Sequence, residues 1–373
     1  MRLTQITPNS FRNLSPDPVF FGSGVTVIAG ENAQGKTNLL EAVALLCGQR
    51  SFRRASPAQI GAGGAAFGVS GVLLRDGRQE RLAVAWAPED GRSFTRGGKA
   101  IGFREASHLA PAVFLAPEHR DLLAGPPAPR RRFLDRLAMA LKPAAGEDLA
   151  RFGRALSERN ALLGRLREAP ARAAAGELEA WTEQFVTAGA AVRRHRKEAL
   201  SGWLAFFLPL AGEAGPEYGE VRVHYVSEEE SEEDLRAACA RLSSAERRRG
   251  HALAGPQRDD LSWTRAGRPL AAEASAGELS RAVALAKLAE WHAVANATGE
   301  TPLFAVDEFD AGLSQGWAEA FVAALPPAET VLLTTASEPE KWSRRAHGIL
   351  QMRAGRVTGR PRAVDSERMT KEA

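Results

Sequence analysis

Apolar and polar positions fall along this chain in blocks of two kinds. Residues 1–6 and 25–29 read as short buried strands, and the second runs into a Gly-rich loop and then an apolar helix over about 38–47. Residues 69–75 and 81–87 alternate sides at each step, and Asp76-Gly77 between them is a strong signal for a hairpin. A further strand is expected at 112–116, followed by Ala124-Gly125-Pro126-Pro127-Ala128-Pro129, where the period changes to that of helices. The helical pattern holds from 130 to about 197, interrupted at Lys142-Pro143 and Ala169-Pro170. It carries no sustained seven-residue apolar seam, so no coiled coil is expected. Beyond it come a strand at 221–226, an acidic solvated loop at 227–234 and a helix at 235–249. The last hundred residues return to α/β character, with a helix at 277–297, a strand at 303–306, a helix at 315–325, a strand at 330–335 and a hairpin about Ala354-Gly355. These strands are expected to rejoin the sheet begun at the N-terminus, and the polar tail after Arg360 to be disordered.

The junction between the second strand and its helix carries chemistry. Gly30-Glu31-Asn32-Ala33-Gln34-Gly35-Lys36-Thr37 matches G-x-x-x-x-G-K-[ST] throughout and has the required flanks, with Asn38 opening the helix. Glycines let the backbone curl until successive N–H groups and the helix N-terminus face a β-phosphate. Lys36 then adds charge between the β- and γ-phosphates, and Thr37 offers a hydroxyl to Mg²⁺. Residues 302–306 form a second apolar run that ends in Asp307-Glu308, with Asp310-Ala311-Gly312-Leu313 as a turn. A carboxylate at a strand tip can hold magnesium while its neighbour polarises the attacking water, so Asp307 is assigned to the metal and Glu308 to the water. ATP and Mg²⁺ are therefore the expected cofactors, with Lys36, Asp307 and Glu308 as catalytic residues.

Composition narrows this picture only a little. The 373 residues, 44% of them hydrophobic, suffice for one large or two medium domains. Cys47 and Cys239 stand far apart, which fits reduced core thiols better than zinc or a disulfide framework. The first residues lack the apolar stretch of a signal peptide and no run approaches the length needed to span a bilayer, so a cytoplasmic protein is expected. The net charge is only +4, but among 49 basic residues just seven are lysine. Arginine's planar fork suits phosphate, so a nucleic-acid partner is permitted.

Ser275 and Glu278 stand at capping-box spacing ahead of an apolar helix. Placed between the phosphate loop and the acidic strand, residues 273–280 resemble the Ser-x-Gly-[Gln/Glu] signature of ABC-type ATPases. There the signature of one subunit closes on the γ-phosphate held by the other subunit's loop. More narrowly, the chain resembles the RecF family of bacterial DNA-repair ATPases, related to the heads of SMC proteins, over most of its length. The likeness is carried by residues 9–14, 30–41, 51–53, 116–135 and 250–261 and by the signature, and Gly255-Pro256-Gln257-Arg258-Asp259-Asp260 is the most diagnostic part. The resemblance implies an α/β fold, a P-loop ABC-type ATPase head of mixed sheet and flanking helices, with an inserted and largely helical second lobe. It implies an ATP-dependent homodimer in which Ser275, Gly277 and Glu278 act in trans, and an Arg12 that reaches the nucleotide phosphates. It further implies binding to double-stranded or gapped DNA, weak DNA-dependent ATP hydrolysis, and help in loading RecA together with RecO and RecR. Three departures stand out: Ala276 in place of a polar residue, Thr334-Thr335-Ala336-Ser337 where many ABC proteins keep a switch histidine, and no glutamine after Leu115. Thr335 and Glu118 are the candidates left for those roles.

Lobe I is expected to comprise residues 1–128 and 298–373, and lobe II residues 129–297. Arg53, Arg54, Arg130, Arg131 and Arg132, with the clusters at 193–197 and 247–249, are candidates to neutralise DNA phosphates, the other reading being solvated helix faces. The lack of interleaved aromatics favours duplex over single-strand contact. His119 and His251 read as structural. A transporter ATPase subunit, a small-molecule P-loop kinase and an ATP-gated clamp without hydrolysis are the rival readings. The long insert and Arg258-Asp259-Asp260 weigh against the first, and Glu308 beside Asp307 against the second.

Overall fold

The computed structural model describes residues 1–168, 175–311, 315–325, 329–336, 342 and 346–358. The break expected at Ala169-Pro170, Gly312-Leu313, Ser337 and the tail after Arg360 lie outside them. The chain divides into two compact units, Met1–His119 with Val294–Ala373, and Arg120–Ala293.

The first unit begins with β1 (Arg2–Asn9), β2 (Val19–Phe20), β3 (Gly24–Ala29), α1 (Lys36–Leu46), β4 (Phe67–Arg75) and β5 (Arg78–Ala87). It continues with β6 (Gly91–Arg96), β7 (Lys99–Ile101), α2 (Phe103–Leu109) and β8 (Ala112–Leu115). The second unit holds α3 (Asp121–Ala124), α4 (Pro127–Leu141), α5 (Ala145–Glu168), α6 (Ala175–Ala214), α7 (Pro216–Gly219), β9 (Val221–Val226) and α8 (Glu232–Arg249). After β10 (Asp260–Arg265), β11 (Arg268–Pro269) and α9 (Leu270–Glu273) comes α10 (Ala276–Thr298), whose last residues belong to the first unit. That unit closes with β12 (Leu303–Val306), α11 (Gln315–Ala324), β13 (Thr330–Thr335), β14 (Gly348–Arg353) and β15 (Arg356–Thr358).

Two six-stranded sheets make up the first unit. One is antiparallel, in the order β2-β1-β4-β5-β6-β7. Its β4–β5 hairpin turns through Asp76 and Gly77, both at positive φ, as the sequence predicts. The other sheet runs β15-β14-β3-β13-β12-β8, parallel except for β15. The C-terminal strands therefore join β3 and not the sheet of β1, because both edges of β1 are already taken by β2 and β4. Every residue of β12 and β13 is buried, the mark of a parallel sheet covered on both faces.

α1 packs against β4, β5 and β13, strands of both sheets, and nine of its 11 residues are buried. Past its first turn α1 is apolar except at Glu41, so it has no solvent face to offer and must be enclosed. Leu39, Leu40 and Leu45 are at most 1% exposed, and each such side chain contributes roughly 1.5–3 kcal/mol on burial. Gly71 lets β4 approach, since a Cβ there would lie 2.3 Å from Leu46 Cδ2.

The second unit is mostly helical. Phe152, Phe185, Val192 and Leu235 form a core shared by α5, α6 and α8, beside a small antiparallel sheet β11-β10-β9. Trp203 stacks on Phe207 at 4.6 Å and donates its indole N–H to Ala286 O at 3.0 Å, which ties α10 to α6. The segment at 227–234 is not a wholly solvated loop: Ser231 caps α8, and Glu229 is 4% exposed. Both cysteines are free and buried, and burial pushes their thiols up, to about 12 for Cys47 and about 11 for Cys239. Among the described residues no helix is long and apolar enough to cross a membrane.

Candidate active site

The loop at 30–37 joins β3 to α1 at the end of the parallel sheet. Its curl needs left-handed backbone at Ala33 (φ 64°) and positive φ at Gly30 and Gly35. At Gly30 a Cβ would also meet Met352 O at 2.4 Å, so β14 packs directly against the loop. The neighbouring hairpin turn props it further. Gly355 N–H donates to Gln34 O at 2.8 Å and Ala354 N–H to Gln34 Oε1 at 2.6 Å. The side chain of Gln34 is thus a strut, leaving its backbone N–H for a ligand.

Lys36 is 5% exposed and folds back over the loop, where Nζ donates to Gly30 O at 2.5 Å and Glu31 O at 2.8 Å. Burial lowers its pKa, and Asp307, Glu308 and Asp310 act in the opposite sense. The ammonium is therefore held over the loop backbone with no carboxylate bonded to it, in place to meet an anion.

β12 delivers the acidic pair. Asp307 is 5% exposed and takes two hydroxyl donors, Thr37 Oγ1 at 2.9 Å and Thr334 Oγ1 at 2.6 Å. Burial raises its pKa, the two hydroxyls work against that, and Glu308 and Glu118 raise it further. Glu308 stands exposed with φ 50°, its N–H bonded to Thr334 Oγ1 at 2.8 Å. This strained backbone carries the second carboxylate away from the first and into the open. Thr37 and Asp307 present hard oxygens at one point, as Mg²⁺ requires. Among the described residues no three His, Cys, Asp or Glu side chains converge, so phosphate oxygens and water would have to complete its shell. Thr335, the switch candidate, is fully buried and donates to Asp310 Oδ2 at 2.6 Å, which commits it to holding the turn.

Arg12 is committed in this structure. Its guanidinium clasps Glu41, which is fully buried in α1 and also accepts from Ser51 Oγ at 2.5 Å. That Arg12 and Ser51 pair with Glu41 had no local sequence signal, because burial of α1 is what creates the need for them. Along the rim, Arg53 donates to Asn38 Oδ1 at 3.0 Å, Asn38 to Asn13 Oδ1 at 2.7 Å, and Asn13 to Gln34 O at 3.5 Å. Arg53 and Arg54 are exposed, Arg54 with φ 59°.

In the second unit Ser275 caps α10. Glu278 N–H donates to Ser275 Oγ at 3.3 Å, and Ser275 N–H donates to Glu278 Oε2 at 2.8 Å. Arg265 bonds the other oxygen of Glu278 at 2.8 Å, and these contacts, Arg265 first, hold that carboxyl down at about 2. Ser275 and Ala276 are exposed.

The basic clusters require a correction. Arg130, 9% exposed, makes a two-pronged ion pair with Asp260 at 2.6 and 2.8 Å and also donates to Gly125 O. Arg131 donates to Asp259 O at 2.9 Å. Arg193 and Arg196 are each 3% exposed. Arg193 grips Asp259 and Glu229, and Arg196 grips Asp135. Burial opposes their charge, but the carboxylates outweigh it and push both guanidinium pKa values up. Arg130, Arg193 and Arg196 are thus interior struts. Of the predicted contacts, Arg53, Arg54, Arg132, Arg194, Lys197, Arg247, Arg248 and Arg249 remain exposed.

Comparison with known proteins gives a consistent result. A family model described as an AAA domain matches residues 6–81. Proteins named DNA replication and repair protein RecF are similar over nearly the whole chain. That of Acidothermus cellulolyticus is 32% identical over 91% of this chain and 95% of its own, and that of Deinococcus deserti 31% identical over 98% of each. Among solved structures, the recombination mediator protein RecF with ATP in the RecFOR pathway superposes with TM-score 0.87 at 23% identity, covering 96% of this chain and 97% of that one. The Smc head domain of Pyrococcus furiosus, bound to the C-terminal domain of ScpA, superposes with TM-score 0.53 at 15% identity over 96% of each chain. Both likenesses bear on the fold.

Proposed function

The chain belongs to the RecF family of DNA replication and repair proteins, and from that premise we propose that it is an ATPase in which nucleotide governs the pairing of two copies on DNA. ATP lies with its β- and γ-phosphates in the loop at 30–37, and Mg²⁺ lies against Thr37 and Asp307. Glu308 orients the attacking water as general base. The observation that carries this reading is the 2.9 Å contact of Thr37 with Asp307, beside a Glu308 that stands exposed with no competing partner described for it. A second copy completes the site by presenting its Ser275, Gly277 and Glu278 to the γ-phosphate. Hydrolysis is weak and DNA-stimulated, and it times the release of double-stranded or gapped DNA. Arg53, Arg54 and Arg132 are the proposed contacts to the duplex backbone. The protein acts in the cytoplasm with RecR and RecO, upstream of RecA.

Glu308→Gln tests the reading directly. Removing the base while keeping the shape slows hydrolysis by about 10²–10⁴-fold, the range for a lost general base. The variant should therefore sediment as a stable dimer with ATP and Mg²⁺ and as a monomer without them. A variant that stays monomeric at saturating ATP overturns the pairing.

A further inference from the structure

Arg281 lies on α10, one turn past Gly277, and its Nε is buried without a hydrogen-bond partner. Among the described residues its guanidinium forms no ion pair, because the acids near it are already taken. Glu278 holds Arg265 and the N–H of Ser275, each at 2.8 Å, and Glu273 holds Arg268 at 2.6 Å. Tyr218, 3% exposed, likewise leaves its hydroxyl without a hydrogen bond. Burial pushes the pKa of that phenol up, and the charge of Arg281 beside it pulls the other way. A part-buried cation with an unmade bond is costly, so one that lacks a counter-charge in its own fold calls for an anion from outside. Helical side chains lean towards the N-terminus, which carries Arg281 back over Gly277. Its Nη2 is the nearest heavy atom to a Cβ built at Gly277, at 4.0 Å. Arg120, which is exposed, reaches the same turn and donates to Ala276 O at 2.7 Å.

We propose that Arg281, with Arg120 beside it, grips the γ-phosphate of the ATP held in the loop of a second copy. The inference rests on the pairing of two copies proposed above and names the charge that makes pairing depend on the terminal phosphate. Backbone N–H groups and the Ser275 hydroxyl orient an anion at the start of α10 but carry no full charge. A guanidinium supplies that charge, and its planar fork matches a phosphate's oxygens. The bare backbone of Gly277 leaves the way to it open. ADP has no γ-phosphate to reach across to Arg281, so it leaves this cation unpaired and the two copies apart.

The experiment is sedimentation of the full chain with ATP and with ADP, for the native protein, Arg281→Ala and Arg281→Met, beside a titration of a fluorescent ATP analogue into each. Arg281→Ala should weaken the ATP-dependent dimer by about 10–100-fold, the worth of hydrogen bonds to a charged group. Its affinity for the analogue as a single copy and its melting temperature should not change. Arg281→Met keeps the packing of the stem and should lose as much. Methylguanidinium added to Arg281→Ala should restore pairing with ATP and not with ADP, which a purely structural role would not produce. Three results overturn the assignment and spare the parent reading: native pairing in Arg281→Ala, native pairing in Arg281→Met, or a loss that methylguanidinium does not restore. A native protein that does not pair with ATP overturns both.

Discussion

Asp259 is the residue on which the interior of the second unit converges. It is 2% exposed and accepts Arg193 through two oxygens, takes the Tyr225 hydroxyl, and lies 3.7 Å from Arg196. Asp259→Ala would leave Arg193 and Arg196 short of their counter-charge inside the protein. Breaking a buried pair from one side costs about 3–5 kcal/mol, and urea unfolding should show a loss of that size. Arg258→Ala, one residue earlier and exposed, should stay within about 0.5 kcal/mol of the native protein. The contrast shows what single residues reveal in sequence. Lys36, Thr37 and Asp307 were legible because the chemistry they serve dictates their neighbours in the chain. Arg130, Arg193 and Arg196 were not: the carboxylates that neutralise them are 130, 66 and 61 residues away, so a helical run of arginines reads locally as a solvated face.

Among the elements, the hairpin β14–β15 has the greatest effect on nucleotide. Its turn donates twice to Gln34, and at Gly355 (φ 78°) a Cβ would lie 1.8 Å from Asn13 O. Gly355→Ala must therefore push the hairpin off the loop, on top of the roughly 1–2 kcal/mol an L-residue pays for left-handed backbone. The expected result is ATP affinity weakened by about tenfold, since a factor of ten corresponds to 1.4 kcal/mol, read by the same fluorescent titration. The strands that carry the site were readable because a parallel sheet covered on both faces demands continuous apolar runs. The thin strands β2, β6 and β7 escaped notice. β2 and β7 are only two and three residues long, and in β6 the Arg, Ser and Thr give no period to detect. The pairing of β3 with β13 and β14, not with β1, was likewise invisible, since it is set by which edges remain free.

For the molecule as a whole, Gly277 points outward. It follows the cap of α10, and the nearest atom to a Cβ placed there is Arg281 Nη2, 4.0 Å away. Nothing within its own unit requires glycine at that position, which fits a surface that something else must approach closely. Ser275→Arg should accordingly keep native ATP affinity, because the loop at 30–37 is untouched, and lose ATP-dependent dimerisation in sedimentation. Parallel loss of affinity and pairing would mean that the signature acts through its own chain's site.

The order in which the parallel sheet is assembled has a bearing on how the protein is made. β3, which leads into the phosphate-binding loop, is flanked by β13 and β14, with Val27 opposite both Leu333 and Ile349. During translation the loop emerges early, whereas the two strands that brace it arrive among the last. A growing polypeptide therefore lacks the bracing of β3 until β13 and β14 have emerged from the ribosome, and until then the open backbone edges of β3 are surfaces that a chaperone would have to shield.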